Sequence, residues 1–150
     1  MRGGTRGAFR FSRAWHRRCI AACMRIALVI EDDAATRRVI AQTLLQDGYG
    51  VAESVLPEPI PFVPALDVVV TDVVTAPDVA SVRAWARSID ERFDVPVVIV
   101  TGRPEILAAG AAALGVADLV AKPFEMADLV ERVSVAVAAH KLAIPPNRWN

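Results

Sequence analysis

The sequence predicts an α/β domain built on a parallel sheet with right-handed crossovers. Five short apolar runs recur between residues 26 and 121, and four helical patterns alternate with them. The run Val68-Val69-Val70 and the run Pro96–Val100 are apolar without alternation and rich in β-branched residues, as in central strands buried on both faces. Polar or charged groups stand where several runs end, and sheets of this kind carry their sites outside the carboxyl ends of the strands.

Each element has its own signal. Ile26–Ile30 is a short apolar strand, followed by Glu31-Asp32-Asp33 and a helix with Val39, Ile40, Thr43 and Leu44 on one face. Asp47-Gly48 closes that helix, the glycine suiting its stop. Val51–Ser54 is a weaker second strand. Pro57, Pro59, Pro61 and Pro64 then exclude a regular helix and predict an extended or polyproline-like loop. The third strand lies in Leu66–Asp72 and leaves the core at its terminal carboxylate. Asp78 suits the cap of a helix that buries Val79, Val82, Trp85, Ala86 and Ile89. Pro96–Val100 ends at Thr101-Gly102, and Pro104 suits the first position of an Ala-rich helix over 104–114 that stops at Gly115. Ala117–Ala121 is the fifth strand, ending at Lys122-Pro123-Phe124. A last helix over about 125–140 buries Met126, Leu129, Val133 and Val137, and residues 141–150 form a short tail.

Length and charge bound the function. One hundred and fifty residues make one domain with a full core, and 54% hydrophobic content marks it as globular. Residues 1–23 carry six arginines and no acid, which leaves 11 basic against 17 acidic side chains in the other 127 residues, a net of −6. The body is therefore a poor surface for nucleic acid. The head reads as a disordered basic extension, translated upstream of a start at Met24. The same composition also suits a basic arm or a transit peptide. Cys19–Met24 is shorter than the apolar core of about 7–15 residues that a secretory signal needs. No run approaches the ~20 residues of a membrane span. Cys19 and Cys23 lack the spacing of a redox or zinc motif, which fits a reducing, cytoplasmic setting.

The parallel topology brings Glu31, Asp32, Asp72, Thr101 and Lys122 to one edge. Singly, these are ordinary helix-capping acids, turn residues and a solvated lysine. Together they carry chemistry. Carboxylates sharing a site repel by about 4 kcal/mol per pair at ~4 Å and an effective dielectric of 20. Lys122 offsets one charge, and a hard divalent cation such as Mg²⁺ offsets more. Asp72 is then a carboxylate nucleophile, with Thr101 and Lys122 placed for phosphoryl oxygens.

The motifs Val29-Ile30-Glu31-Asp32-Asp33, Val70-Thr71-Asp72, Val98-Ile99-Val100-Thr101-Gly102 and Ala121-Lys122-Pro123-Phe124 resemble, in order, those of the two-component response-regulator receiver domain. The resemblance covers residues 24–140. It implies a flavodoxin-like (βα)5 fold with strand order 2-1-3-4-5. It implies phosphorylation of Asp72 by a histidine kinase or histidine phosphotransferase. Mg²⁺ would be held by Asp32 directly, by Glu31 through water, by Asp72, and by the backbone carbonyl of Val74. Thr101 would be the switch hydroxyl, Lys122 the partner of the phosphoryl group, and Lys122–Pro123 a cis bond. It implies a signalling module rather than an enzyme acting on other substrates.

Three departures from that pattern matter, and two further positions bear on the lifetime of the phosphoryl group. The proline run replaces the family's second helix. Leu119 stands where the family has a switch aromatic, which predicts a muted response across helix 104–114, strand 117–121 and helix 125–140. The family's proline past the acceptor is displaced to Pro77. Val74 and Arg103 hold the positions that flank the attacking water, with Arg103 set to hold phosphoryl oxygens, which predicts a long-lived phosphoprotein. The leading expectation is a stand-alone receiver read by a protein partner, with no helix-turn-helix after the last helix. A pseudo-receiver adaptor working without phosphorylation is the alternative. An aspartyl-phosphate phosphatase would need a second Asp two residues past the nucleophile, where Val74 stands.

Overall fold

The computed structural model describes residues 24–56, 63–73 and 75–143. The extension over 1–23, the prolines Pro57, Pro59 and Pro61, Val74 and residues 144–150 lie outside the described residues.

The strands are β1 (Ile26–Ile30), β2 (Gly50–Ser54), β3 (Val68–Thr71), β4 (Val97–Thr101) and β5 (Asp118–Ala121). They form one five-stranded sheet in the order β2-β1-β3-β4-β5, and every pairing is parallel. The helices are α1 (Ala34–Gln46), α2 (Val79–Phe93), α3 (Pro104–Ala109), α4 (Ala111–Leu114) and α5 (Met126–Ala143). Because the strand side-chain period is two, each strand feeds two cores. Val29, Val68, Val70, Val98, Val100 and Val120 face Leu44 of α1 and Leu129, Val133 and Val137 of α5. Leu28, Ile30, Val69, Val97 and Ile99 face Val82 and Ile89 of α2, Ile106 of α3 and Leu114 of α4. The unalternating apolar runs thus reflect burial on both faces.

Four expectations are corrected. In α1 the buried residues are Ile40, Ala41, Thr43 and Leu44, whereas Val39 is exposed. One helical step of about 100° carries Val39 back out of the stripe, and Ala41 closes it instead. The single helix expected over 104–114 is two, broken at Gly110, whose φ of 82° and ψ of 155° are not helical. A Cβ there would meet nothing within 4 Å, so the break depends on the backbone conformation that glycine permits, not on crowding. Met126 is in phase with the buried stripe of α5 yet exposed. It is the first residue of the helix. Finally, α5 runs three residues past 140, to Ala143.

No helix joins β2 to β3 among the described residues. Val63 and Leu66 pack against the second core in its place. The Asp67 side chain accepts the N–H of Ile26 at 2.7 Å, satisfying the first donor of β1. No helix is long and apolar enough to cross a membrane among these residues.

Candidate functional site

Register builds the site. Ile30 is the partner of Thr71 in the β1–β3 ladder, so Glu31 and Asp32 leave the sheet beside Asp72. The Asp72 N–H extends that ladder onto Ile30 O at 2.9 Å. At the other pair of strands Thr101 is the partner of Ala121, and the Lys122 N–H bonds Thr101 O at 2.9 Å. The order reverses between β1 and β3, which opens a crevice at their carboxyl ends.

Lys122 closes the site. Its Nζ donates to Glu31 Oε2 and to Asp72 Oδ2, each at 2.6 Å. The Glu31 side chain is 1% exposed and that of Asp72 9%. Burial raises the pKa of Glu31, and the Lys122 hydrogen bond and the Asp33 N–H oppose it only in part. Burial pulls the Lys122 ammonium down, but Asp72 and Glu31 together outweigh that pull and hold it above its ordinary range.

Backbone donors bond further carboxylate oxygens of the site. Asp72 Oδ1 accepts the N–H of Val73 at 2.6 Å. Asp32 Oδ1 accepts the N–H of Asp33 at 2.9 Å. Asp33 itself is the N-cap of α1, accepting the N–H of Thr36 at 2.7 Å. Two arginines that the motifs do not single out for these roles organise the loops. Arg37 Nη1 donates to Glu31 O at 2.7 Å and pins the acidic turn. Arg103 turns its guanidinium onto the β3–α2 loop, donating to the carbonyls of Val73, Ala76 and Pro77. The guanidinium expected at phosphoryl oxygens is here engaged by these carbonyls and by Glu105 Oε1. Side-chain type announces neither contact, since an arginine reaches any carbonyl that the fold brings near.

Thr101 is fully buried, and its Oγ1 accepts the N–H of Arg103 at 3.2 Å. Leu119 packs against the second core as a partly buried residue. The Lys122–Pro123 bond is cis. Val74, expected to offer a carbonyl to metal, lies outside the described residues.

Glu31, Asp32 and Asp72 each offer a carboxylate oxygen, and these oxygens lie within 4.8 Å of one another. Three carboxylates face one ammonium, and every candidate ligand is a hard oxygen. That donor set fits a divalent cation of the Mg²⁺ class.

Solved structures with this arrangement of strands and helices are similar to the chain. A response regulator receiver domain protein from Clostridium thermocellum shares 23% identity, with 81% of this chain and 100% of that one covered and a TM-score of 0.63. A response regulator from Thermotoga maritima shares 22%, covering 77% and 98%, at 0.61. This chain has the receiver-domain fold. The chemotaxis protein CheY4 of Vibrio cholerae is a further receiver-fold relative, at 21% identity, 75% and 98% coverage and a TM-score of 0.57. No protein-family model and no curated protein matches the chain. The receiver fold accounts for the 2-1-3-4-5 strand order.

Proposed function

We propose that the chain is a phosphoacceptor response regulator of a two-component phosphorelay. A phosphohistidine on a histidine kinase or histidine phosphotransferase donates to Asp72, and a protein partner reads the result. The Lys122 ammonium, shared between Asp72 and Glu31 at 2.6 Å, carries this reading. It neutralises a nearly buried carboxylate while leaving it at the mouth of the crevice, where a phosphoryl group can reach it.

An Asp72 carboxylate oxygen attacks phosphorus, the P–N bond breaks, and its electron pair stays on the histidine nitrogen, which takes up a proton. Asp32, Asp72 and Glu31 would hold Mg²⁺, with the Val74 carbonyl. When bound, the ion offsets the negative charge on the phosphoryl oxygens. Lys122 follows one of those oxygens, and the Thr101 hydroxyl donates to another. The chain catalyses only its own modification and its slow reversal, and it acts in the cytoplasm.

The test is acetyl phosphate with Mg²⁺, read by intact mass. An adduct of about 80 Da is expected on the wild type and not on Asp72→Asn. A wild type without adduct would overturn the phosphoacceptor reading in favour of a phosphorylation-independent adaptor.

A further inference from the structure

Arg103 binds two parts of the site at once. Its backbone N–H is bonded to Thr101 Oγ1 at 3.2 Å. Its Nη1 donates to Val73 O at 3.3 Å and also to Ala76 O, and its Nη2 donates to Pro77 O at 3.2 Å. Glu105 Oε1 accepts from Nε at 2.7 Å and fixes the plane of the guanidinium. These carbonyls belong to the segment that leaves Asp72 and enters α2. Val73 is anchored in the second core, and Asp78 caps α2. Between those anchors the loop borders a cavity of about 390 Å³ lined by Leu56, Val82 and Trp85 as well as by Val73, Ala76 and Pro77. Charge-assisted hydrogen bonds from one side chain span the loop beside that cavity.

We propose that Arg103 is a positioning residue. Its side chain braces the loop that follows Asp72, while its backbone N–H bonds Thr101 Oγ1, so that one residue touches both sides of the crevice. Its effect on phosphoryl transfer rests on the phosphoacceptor reading; the bracing does not. Arginine spreads its donors over three nitrogens of one plane, so Nη1 and Nη2 reach three carbonyls while Nε binds Glu105; the single nitrogen of a lysine on a flexible stem does not reproduce that spread. A displaced loop also disturbs the ligands beside it, as outer-shell substitutions do at other metal sites.

The experiment compares wild type, Arg103→Ala and Arg103→Lys. Amide exchange at Ala76, whose N–H bonds Val73 O at 3.0 Å, should be at least ~10-fold faster in both variants, with the amides of β1 and β3 unchanged. Mg²⁺ affinity by titration calorimetry should fall ~10-fold in both. The phosphorylation rate at saturating acetyl phosphate should fall with it, at unchanged KM. Unchanged loop exchange would overturn the bracing. Faster exchange with wild-type Mg²⁺ affinity and rate would overturn the positioning role. Wild-type behaviour of Arg103→Lys would show that charge alone acts, and would overturn the proposal too. A wild type that accepts no phosphoryl group would remove the phosphoacceptor reading, while exchange and Mg²⁺ affinity still decide on Arg103.

Discussion

Asp32 and Glu31 are neighbours in sequence with opposite surroundings. Glu31 is buried against Lys122, whereas Asp32 is exposed and accepts the Asp33 N–H on Oδ1. The Lys122 charge is spent on Glu31 and Asp72, so Asp32 contributes the carboxylate least neutralised by protein. Asp32→Ala should therefore lower Mg²⁺ affinity by ~10-fold or more with little change in thermal midpoint. Isothermal titration decides the first point, and equal binding by wild type and variant would remove Asp32 from the metal site. The same contrast explains why residue type alone is a weak guide: adjacent acids take different roles because the strand end turns them to different faces.

The helices show how local signals and their limits combine. Asp78 caps α2, its side chain accepting the Ser81 N–H at 2.8 Å. The backbone N–H of Ser81, then its hydroxyl, lowers the Asp78 pKa below the ordinary 3.8. A carboxyl whose folded pKa is depressed adds stability above its unfolded pKa, and that stability is lost as pH falls through the folded value. Asp78→Ala should thus lower the thermal midpoint by a few degrees at pH 7. The difference from wild type should narrow as pH falls below 3.8. Asp78→Asn, which keeps the acceptor but not the charge, should retain most of the midpoint and lose the pH dependence. A gap of constant size from neutral to acid pH would show that the cap contributes no ionic component.

Across the molecule, stability rests on two cores laid against opposite faces of one sheet. Leu129 is fully buried in the first, while Met126, one turn earlier on the same helix, is 56% exposed. Leu129→Ala should destabilise by about 3 kcal/mol through lost transfer energy and the cavity left behind. Met126→Ala should change stability by less than about 0.5 kcal/mol. Urea unfolding of the two variants measures both, and similar losses would mean that the first turn of α5 is packed after all. The two positions are three residues apart on one helix, so helical phase alone does not set burial.

The strand runs, the caps and the strand-end groups were legible in the sequence because each depends on nearby residues. Burial on both faces of a parallel sheet demands unbroken apolar runs, and Val68–Val70 and Pro96–Val100 show them. Asp78 announces α2 by a cap that acts over three residues. The parallel alternation already placed Glu31, Asp32, Asp72, Thr101 and Lys122 at one edge. Tertiary structure decided what depends on distance between elements. The exposure of Val39 and Met126 and the engagement of Arg103 with carbonyls up to 30 residues away have no local signature, whereas the break at Gly110 has one in the glycine itself. Local propensity acts over a turn of chain, whereas an arginine's partners and a helix's buried arc are set by which elements the sheet brings beside it.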